Sequence, residues 1–345
     1  RIRIAEETGT RAVQMAKDGL TIDKILTADA FENAMRVLLA IGGSTNGIVH
    51  LAAIAGRMGL EIDLNALDHM GNETPVLLDL KPSGDHYMEN FHDAGGMTTL
   101  LRELKPLLKL NAMTVTGRTL GEEIDAGPPS FKQDVVRPFD KPIYPRGSIA
   151  VLHGNLAPGG AIIKQSAANE KLMEHEGRAV VFDNAEDLAN RIDSPDLDVT
   201  AEDILVLKNI GPKGAPGMPE AGYIPIPMKL ARAGVKDMVR ISDGRMSGTA
   251  YGTIVLHVTP ESAIGGPLAY VQNGDRIRLS VSKRELSLLV SDEELSRRAS
   301  QKKIETPTAE RGYRKLFLQS VTQADQGVDF DFLMPPKTSG KIPKK

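Results

Sequence analysis

Hydroxyls, a carboxylate and a guanidinium crowd into one short stretch, Arg240–Ile241–Ser242–Asp243–Gly244–Arg245–Met246–Ser247–Gly248–Thr249–Ala250–Tyr251–Gly252. Gly244, Gly248 and Gly252 recur at every fourth position. An apolar run, Val235–Ile241, leads in, and a β-branched run, Thr253–Val258, leads out. A polar, glycine-rich loop between two buried strands is costly in backbone entropy, which argues for a use in chemistry. The same spacing also suits a tight strand connection whose Ser and Thr cap a helix.

Three other stretches invite the same question. Gly42–Gly43–Ser44–Thr45–Asn46 sets two hydroxyls and an amide at the start of a helical pattern, where exposed N–H groups favour an anion such as a substrate carboxylate. Taken by itself, the stretch is better explained by plain helix capping through Ser44 or Thr45. Asn209–Glu220 holds three glycines and three prolines and ends on Glu220, an oxygen ligand suited to a hard cation, or else a first-turn charge after a rigid turn. Gly154–Gly160 is read as turn chemistry. The seven histidines show no zinc-ligand spacing, and His50 and His257, set in apolar runs, are expected to be partly buried and hydrogen-bonded. A phosphate-loop lysine motif is absent. Gly244–Gly248 has the wrong spacing for a nucleophile elbow, which argues against a serine hydrolase.

The elements that must position these residues fall into two textures. Helical spacing runs through Ile4–Ala16 with a break at Thr8–Gly9, from Thr27 to Leu39, from Ile48 to Met58, and across Tyr87–Lys105 with an interruption at Gly95–Gly96. Asp63–Leu67 is a turn-and-helix unit and Val76–Leu80 a buried strand. Proline-punctuated sequence from Pro128 to Pro145 marks a domain boundary. Beyond it come short β-branched runs at Ser148–Leu152, Gly160–Ile163, Arg178–Phe182, Ile204–Leu207, Met238–Ile241, Thr253–Val258 and Arg276–Val281. Helical patterns intervene at Ala185–Ile192 and Pro227–Ala233, which predicts a β-rich domain with covering helices rather than a repeating βαβ unit. Asp292–Arg298 is a polar helix. From about Thr306 a weakly structured tail is expected, with Tyr313, Phe317 and Phe330 as docking anchors.

At 345 residues with 41% hydrophobic and 25% charged positions, the chain has the size and balance of a two-domain soluble protein. A net charge of −3 with mixed signs gives no footprint for nucleic acid or an anionic membrane. The basic end, Lys341–Lys345, is expected to be solvated and frayed. No apolar run is long enough to span a bilayer and the first residues are unlike a signal peptide, so cytoplasmic residence is the expectation. Cysteine is absent, which excludes disulfides, a thiol nucleophile and thiolate-held zinc or iron–sulfur centres within these residues. The chain opens in mid-helix pattern without Met and is read as a fragment or processed piece.

Taken in order, Gly42–Asn46, Gly154–Asn155–Leu156–Ala157–Pro158, Gly211–Pro212–Lys213–Gly214 with Pro216–Gly217–Met218–Pro219–Glu220, and Ser242–Gly248 resemble the dihydroxy-acid dehydratase / phosphogluconate dehydratase family over about Arg1 to Leu333. Arg240–Asp243 with Met246–Gly252 looks closest to its sugar-acid (aldonate) dehydratases. The resemblance implies an α/β class: the remainder of an α/β cofactor domain (1–137), a β-barrel-like swivelling β/β/α domain (138–335) and a tail (336–345). It implies loss of water from a 2,3-dihydroxy acid, a pentonate or hexonate, to give a 2-keto-3-deoxy acid. Ser247 would be the base at C2, Thr249 with Ser44, Thr45 and Asn46 would line the substrate, and Glu220 would be an Mg²⁺ ligand. Mg²⁺ would hold the carboxylate and C2 oxygen, an iron–sulfur cluster (2Fe–2S or 4Fe–4S) would act on the C3 hydroxyl, and Gly244 and Gly248 would let the backbone approach the metals. The family's cluster cysteines and remaining Mg²⁺ ligands belong to an N-terminal segment absent here, so a polypeptide starting at Arg1 would be inactive. The resemblance further implies a homo-oligomer, dimer or tetramer, acting on a small molecule. The alternatives are a truncated, non-catalytic binding or subunit-interaction module, a branched-chain dihydroxy-acid dehydratase, and an aconitase-type swivelling domain.

Overall fold

The computed structural model describes residues 2–336 and 341–342. The first part is helical. α1 (Ile2–Asp18), α2 (Ile22–Ile25), α3 (Ala28–Ala40) and α4 (Asn46–Arg57) precede a short strand, β1 (Glu61–Ile62). After it come α5 (Leu64–Glu73), α6 (Met88–Asp93), α7 (Gly96–Leu104) and α8 (Leu120–Ala126). Thr27 caps α3 by accepting the Ala30 N–H at 3.3 Å, and Phe31, Met35 and Leu39, four residues apart, form its buried face. The break at Gly95–Gly96 is real, because both glycines take left-handed backbone, with φ of 91° and 59°.

Two expectations for this part need correction. α1 runs unbroken through Thr8 and Gly9, the Thr8 hydroxyl bonding back to the Ile4 carbonyl at 2.7 Å, and none of its residues is buried. Val76–Leu80 is no strand. It makes single bridges, Val76 to Tyr144, Leu78 to Val136 and Leu80 to His86, and Leu77 and Leu78 are buried among Phe91, Leu100 and Leu104. Its apolar character serves helix packing rather than a ladder.

The second part contains β2 (Ala150–Gly154), β3 (Ala157–Ile163), β4 (Glu174–Phe182), α9 (Ala185–Arg191) and β5 (Ile204–Leu207). It continues with α10 (Met228–Arg232), β6 (Arg240–Ser242), β7 (Ile254–Thr259), β8 (Arg276–Ser280) and β9 (Glu285–Leu288). These strands close a barrel in the order β2-β3-β7-β6-β5-β4-β8-β9. Alternation decides the packing: Leu152, Ile163, Val206, Ile241, Val255 and Leu286 fill the interior. Ile149, Val151 and Ile162 face outward onto Phe31, Met35, Leu39 and Leu67 of the helical part. Each such buried side chain contributes about 1.5–3 kcal/mol. The predicted β-rich domain with covering helices is present, with one difference. β4, β5, β6 and β7 pair in parallel with α9 and α10 as crossovers, so two βαβ units are built into the barrel.

The last segment is also more ordered than expected. α11 (Asp292–Gln301) is followed by α12 (Gly312–Ser320), whose Leu318 is buried. The Phe330 ring meets Tyr313 at 6.2 Å and Phe317 at 5.8 Å, both edge-on. β10 (Lys341–Ile342) pairs in parallel with β1, and Ile342 is 1% exposed, so these two residues are docked rather than frayed. Pro343, Lys344 and Lys345 lie outside the described residues, as does Arg1.

Ion pairs fix the helical layer on the barrel. Asp68 of α5 bonds Arg284 at 2.8 Å and accepts the Val151 N–H at 3.0 Å, and Arg57 of α4 bonds Asp329 at 2.6 Å. Arg284 lies between β8 and β9, whereas Asp329 belongs to the segment after α12.

Candidate active site

β6 ends in buried Ser242 and Asp243, and the Ser242 hydroxyl accepts the Gly244 N–H at 3.0 Å. The Asp243 carboxylate accepts N–H bonds from Ile210 at 3.0 Å, Asn209 at 3.3 Å and Ser262 at 2.8 Å. Glu261 does the same beside it, taking the N–H groups of Lys213 and Gly214 at 2.9 Å and an amide proton of Gln323 at 2.8 Å. Burial pushes both carboxyls above their ordinary range while these donors pull the other way. Together they clamp the start of the Asn209–Glu220 loop.

The three glycines are explained by close approach. A Cβ on Gly244 would lie 2.4 Å from Ile210 Cδ1, and one on Gly248 2.9 Å from Ser44 Cβ. On Gly252, at φ +127°, it would lie 1.8 Å from an Arg240 guanidinium nitrogen. The approach that Gly244 and Gly248 permit here is thus to the Asn209–Glu220 loop and to the α3–α4 turn. Arg245 pins the far side of the loop, its Nε donating to the Met218 carbonyl at 2.5 Å and its own carbonyl accepting the Gly222 N–H at 2.8 Å.

Asn46 joins all three stretches. Its Nδ2 donates to Glu220 Oε1 at 2.5 Å and to the Met246 carbonyl at 3.0 Å, and its backbone N–H donates to Ser44 Oγ at 3.2 Å. Its Oδ1 is enclosed without a partner among the described residues. Ser247 follows Met246 and is half-buried, its Oγ 3.0 Å from the hydroxyl of exposed Thr249, whose N–H also reaches it at 3.4 Å. Ser44, Asn46, Glu220, Ser247 and Thr249 therefore converge. Thr45 is 2% exposed and makes no side-chain cap bond, so it is covered beneath this group.

The histidine expectations divide. His50 is exposed, contrary to its apolar neighbours, because it lies on the open face of α4. His257 is buried as expected, yet its Nε2 has no partner among the described residues, and burial with Arg245 nearby pushes its pKa down to about 3. The Gly154–Gly160 turn lies in the β2–β3 hairpin, and Asn155 closes the barrel by bonding the Leu288 N–H and carbonyl at 2.8 and 2.9 Å. Sequence reading missed the clamp of Asp243 and Glu261. Its signal was available, since each is an acid next to an apolar run and a breaker, Gly244 or Pro260.

The N-terminal family described as Dihydroxy-acid/6-phosphogluconate dehydratase matches residues 1–123, and its C-terminal counterpart matches residues 134–328. The chain belongs to this dehydratase family. An L-arabinonate dehydratase from Rhizobium leguminosarum bv. trifolii is 49% identical over 334 residues, covering 96% of this chain and 57% of the relative. A 6-deoxy-6-sulfo-D-gluconate dehydratase from Pseudomonas putida is 45% identical (96% and 58% covered). A dihydroxy-acid dehydratase from Methanothrix thermoacetophila is 40% identical (95% and 60%). The chain thus spans a little under three-fifths of the length of such relatives.

Donors for the family's cofactors can be checked directly. With no cysteine in the sequence, these residues do not fit an iron–sulfur cluster, and its thiolates would have to come from outside them. For Mg²⁺ the site offers Glu220, and no group of three His, Asp or Glu gathers as a metal site among the described residues. No helix among them is long and apolar enough to cross a membrane.

Proposed function

We propose that this chain builds the substrate-facing part of a hydro-lyase that removes water from a 2,3-dihydroxy acid, a pentonate or hexonate, giving a 2-keto-3-deoxy acid. The observation that carries the reading is the Asn46 bridge, which ties Glu220 to the Met246 carbonyl beside Ser247. Ser247, as its alkoxide, takes the C2 proton, the C3 hydroxyl leaves as hydroxide and takes that proton from Ser247 to become water, and the resulting enol tautomerises to the ketone. An alcohol is a weak base at neutral pH, so Ser247 must work beside positive charge. Thr249 orients its Oγ, and Ser44 and Asn46 bind substrate oxygens. Thr45 would reach substrate after local movement. Glu220 supplies one oxygen ligand for Mg²⁺, the ion that in this reading binds the acid's carboxylate. Residues 1–137 and 138–335 are its two domains, in a cytoplasmic homo-oligomer. Aldonates are favoured over branched-chain substrates by the higher identity to the arabinonate and sulfogluconate enzymes.

The test is Ser247→Ala assayed with L-arabonate as probe. Loss of keto acid with unchanged folding supports the reading, and an unchanged rate removes Ser247 as base. A second reading, binding without turnover, is favoured by the missing cysteines and predicts that L-arabonate binds without product forming.

A further inference from the structure

Four cations are buried in the described structure, and three are tied down. Arg36 bonds Thr74 at 2.7 Å, Arg240 bonds Asp237 at 2.7 Å, and Lys208 donates to the carbonyls of Ala269 and Val271 at 3.2 and 2.6 Å. Lys164 is the exception. It is 3% exposed, yet no side chain or carbonyl among the described residues bonds its ammonium, and burial, with no neighbouring charge in play, lowers its pKa. The stem is buried while the ammonium keeps a narrow opening to solvent and no partner among the described residues, a costly position that calls for an anion the folded chain does not itself provide.

Its place in the barrel says where that anion comes from. Ile163 points into the barrel and Ile162 onto the helical layer, so Lys164, next in line after β3, shares the face of Ile162. Extending the registers with β2 and β7 by one residue sets it between Ile149 and Ile254. Ile149 packs with Leu39, just before the Gly42–Asn46 turn, and Ile254 packs with Met246 and Ala250, on either side of Ser247. The residues that follow tighten this placement. Ser166 Oγ is 3.9 Å from the Cβ position of Gly42, the Ala167 carbonyl accepts the Gly252 N–H at 3.0 Å, and the Asn169 N–H reaches the Thr253 hydroxyl at 3.0 Å. The Oγ atoms of Ser148 and Ser166 are enclosed there without partners among the described residues.

We propose that Lys164 receives the carboxylate of the substrate, pairing its ammonium with the anion that enters between the Gly42–Asn46 turn and the Ser247 loop. This rests on the hydro-lyase reading for the identity of the acid. Set at so buried a residue, the pair discriminates an aldonate from the neutral polyol of the same length.

The experiment compares the protein with Lys164→Met by calorimetric titration of L-arabonate and L-arabinitol, and follows the Lys164 side-chain methylene NMR signal as oxalate is added. Expected results are that oxalate shifts the signal and that Lys164→Met binds L-arabonate roughly tenfold or more weaker, with arabinitol unaffected. The variant should also unfold at the same or a higher temperature, whereas a purely structural lysine would lower it. An unmoved signal at saturating oxalate, or equal L-arabonate affinity in both proteins, overturns the proposal. If oxalate moves the signal but L-arabonate neither binds nor reacts, the hydro-lyase reading fails and the anion site stands. If both proteins turn over L-arabonate with the same KM, Lys164 is excluded and the hydro-lyase reading stands.

Discussion

Acidification should destabilise this fold through His257. The ring is 4% exposed with a pKa near 3, and its backbone N–H donates to the Gly244 carbonyl at 3.0 Å, fixing the start of the Ser247 loop. The unfolded chain protonates this imidazole near pH 6.5, whereas the native state keeps it neutral until about pH 3. Between those values the unfolded state binds the extra proton, so stability is lost as pH falls. From pH 8 to pH 4 the loss is about 3 kcal/mol, from roughly 2.5 pH units at 1.36 kcal/mol each. Asp243 and Glu261 act in the opposite sense. Their raised pKa values make the native state bind protons first, so their contribution rises as pH falls toward the ordinary carboxylate range. The His257 effect is therefore read as a difference. Asn tolerates the φ of +56° at this position and does not titrate, so His257→Asn is the variant of choice. Urea unfolding of both proteins at pH 8, 6, 5 and 4 should show the parent losing about 3 kcal/mol more than the variant across the series. Parallel curves would refute the reasoning.

Other substitutions probe the scaffold of the site. Asn46→Ala leaves the Met246 carbonyl and Glu220 without their amide donor and should cost about 1–3 kcal/mol in urea unfolding. Gly248→Ala drives a Cβ against Ser44 and should cost about 1–3 kcal/mol. Gly252→Ala strikes the buried Arg240–Asp237 pair and should cost about 3 kcal/mol or more, both read from denaturant midpoints. Asp243→Ala should cost about 3 kcal/mol and sharply raise amide hydrogen exchange at Ile210 and Ser262, whose N–H groups lose their acceptor.

How much of this was legible in the sequence depended on the range of the interaction. Seven of the eight barrel strands showed as short β-branched runs while β9 did not, and the Thr27 cap and the Gly95–Gly96 break are local signals that the structure repeats. Barrel closure was not legible, because Asn155 bonds Leu288 across 133 residues. Val76–Leu80 carries the composition of a buried strand and is buried, but composition does not say whether the neighbour is a strand or a helix. The order after Thr306 rests on ring contacts such as Tyr313 to Phe330, which no periodicity reveals. The site was legible as separate motifs. That they share a site was implied only by the family resemblance, and the bond from Asn46 to Glu220, 174 residues away, was not legible at all.

As proposed, Ser247 removes a proton from a dihydroxy acid held at this site. The most direct test incubates L-arabonate with a holoenzyme in which the cluster thiolates and remaining Mg²⁺ ligands are supplied from outside these residues, beside its Ser247→Ala form, and follows the keto acid by NMR. If Ser247 is the base, the holoenzyme forms 2-keto-3-deoxy acid and its Ser247→Ala form, folded alike, is slower by about 10³-fold. Equal rates in the two forms, or no product from a holoenzyme that binds L-arabonate, would contradict the proposal.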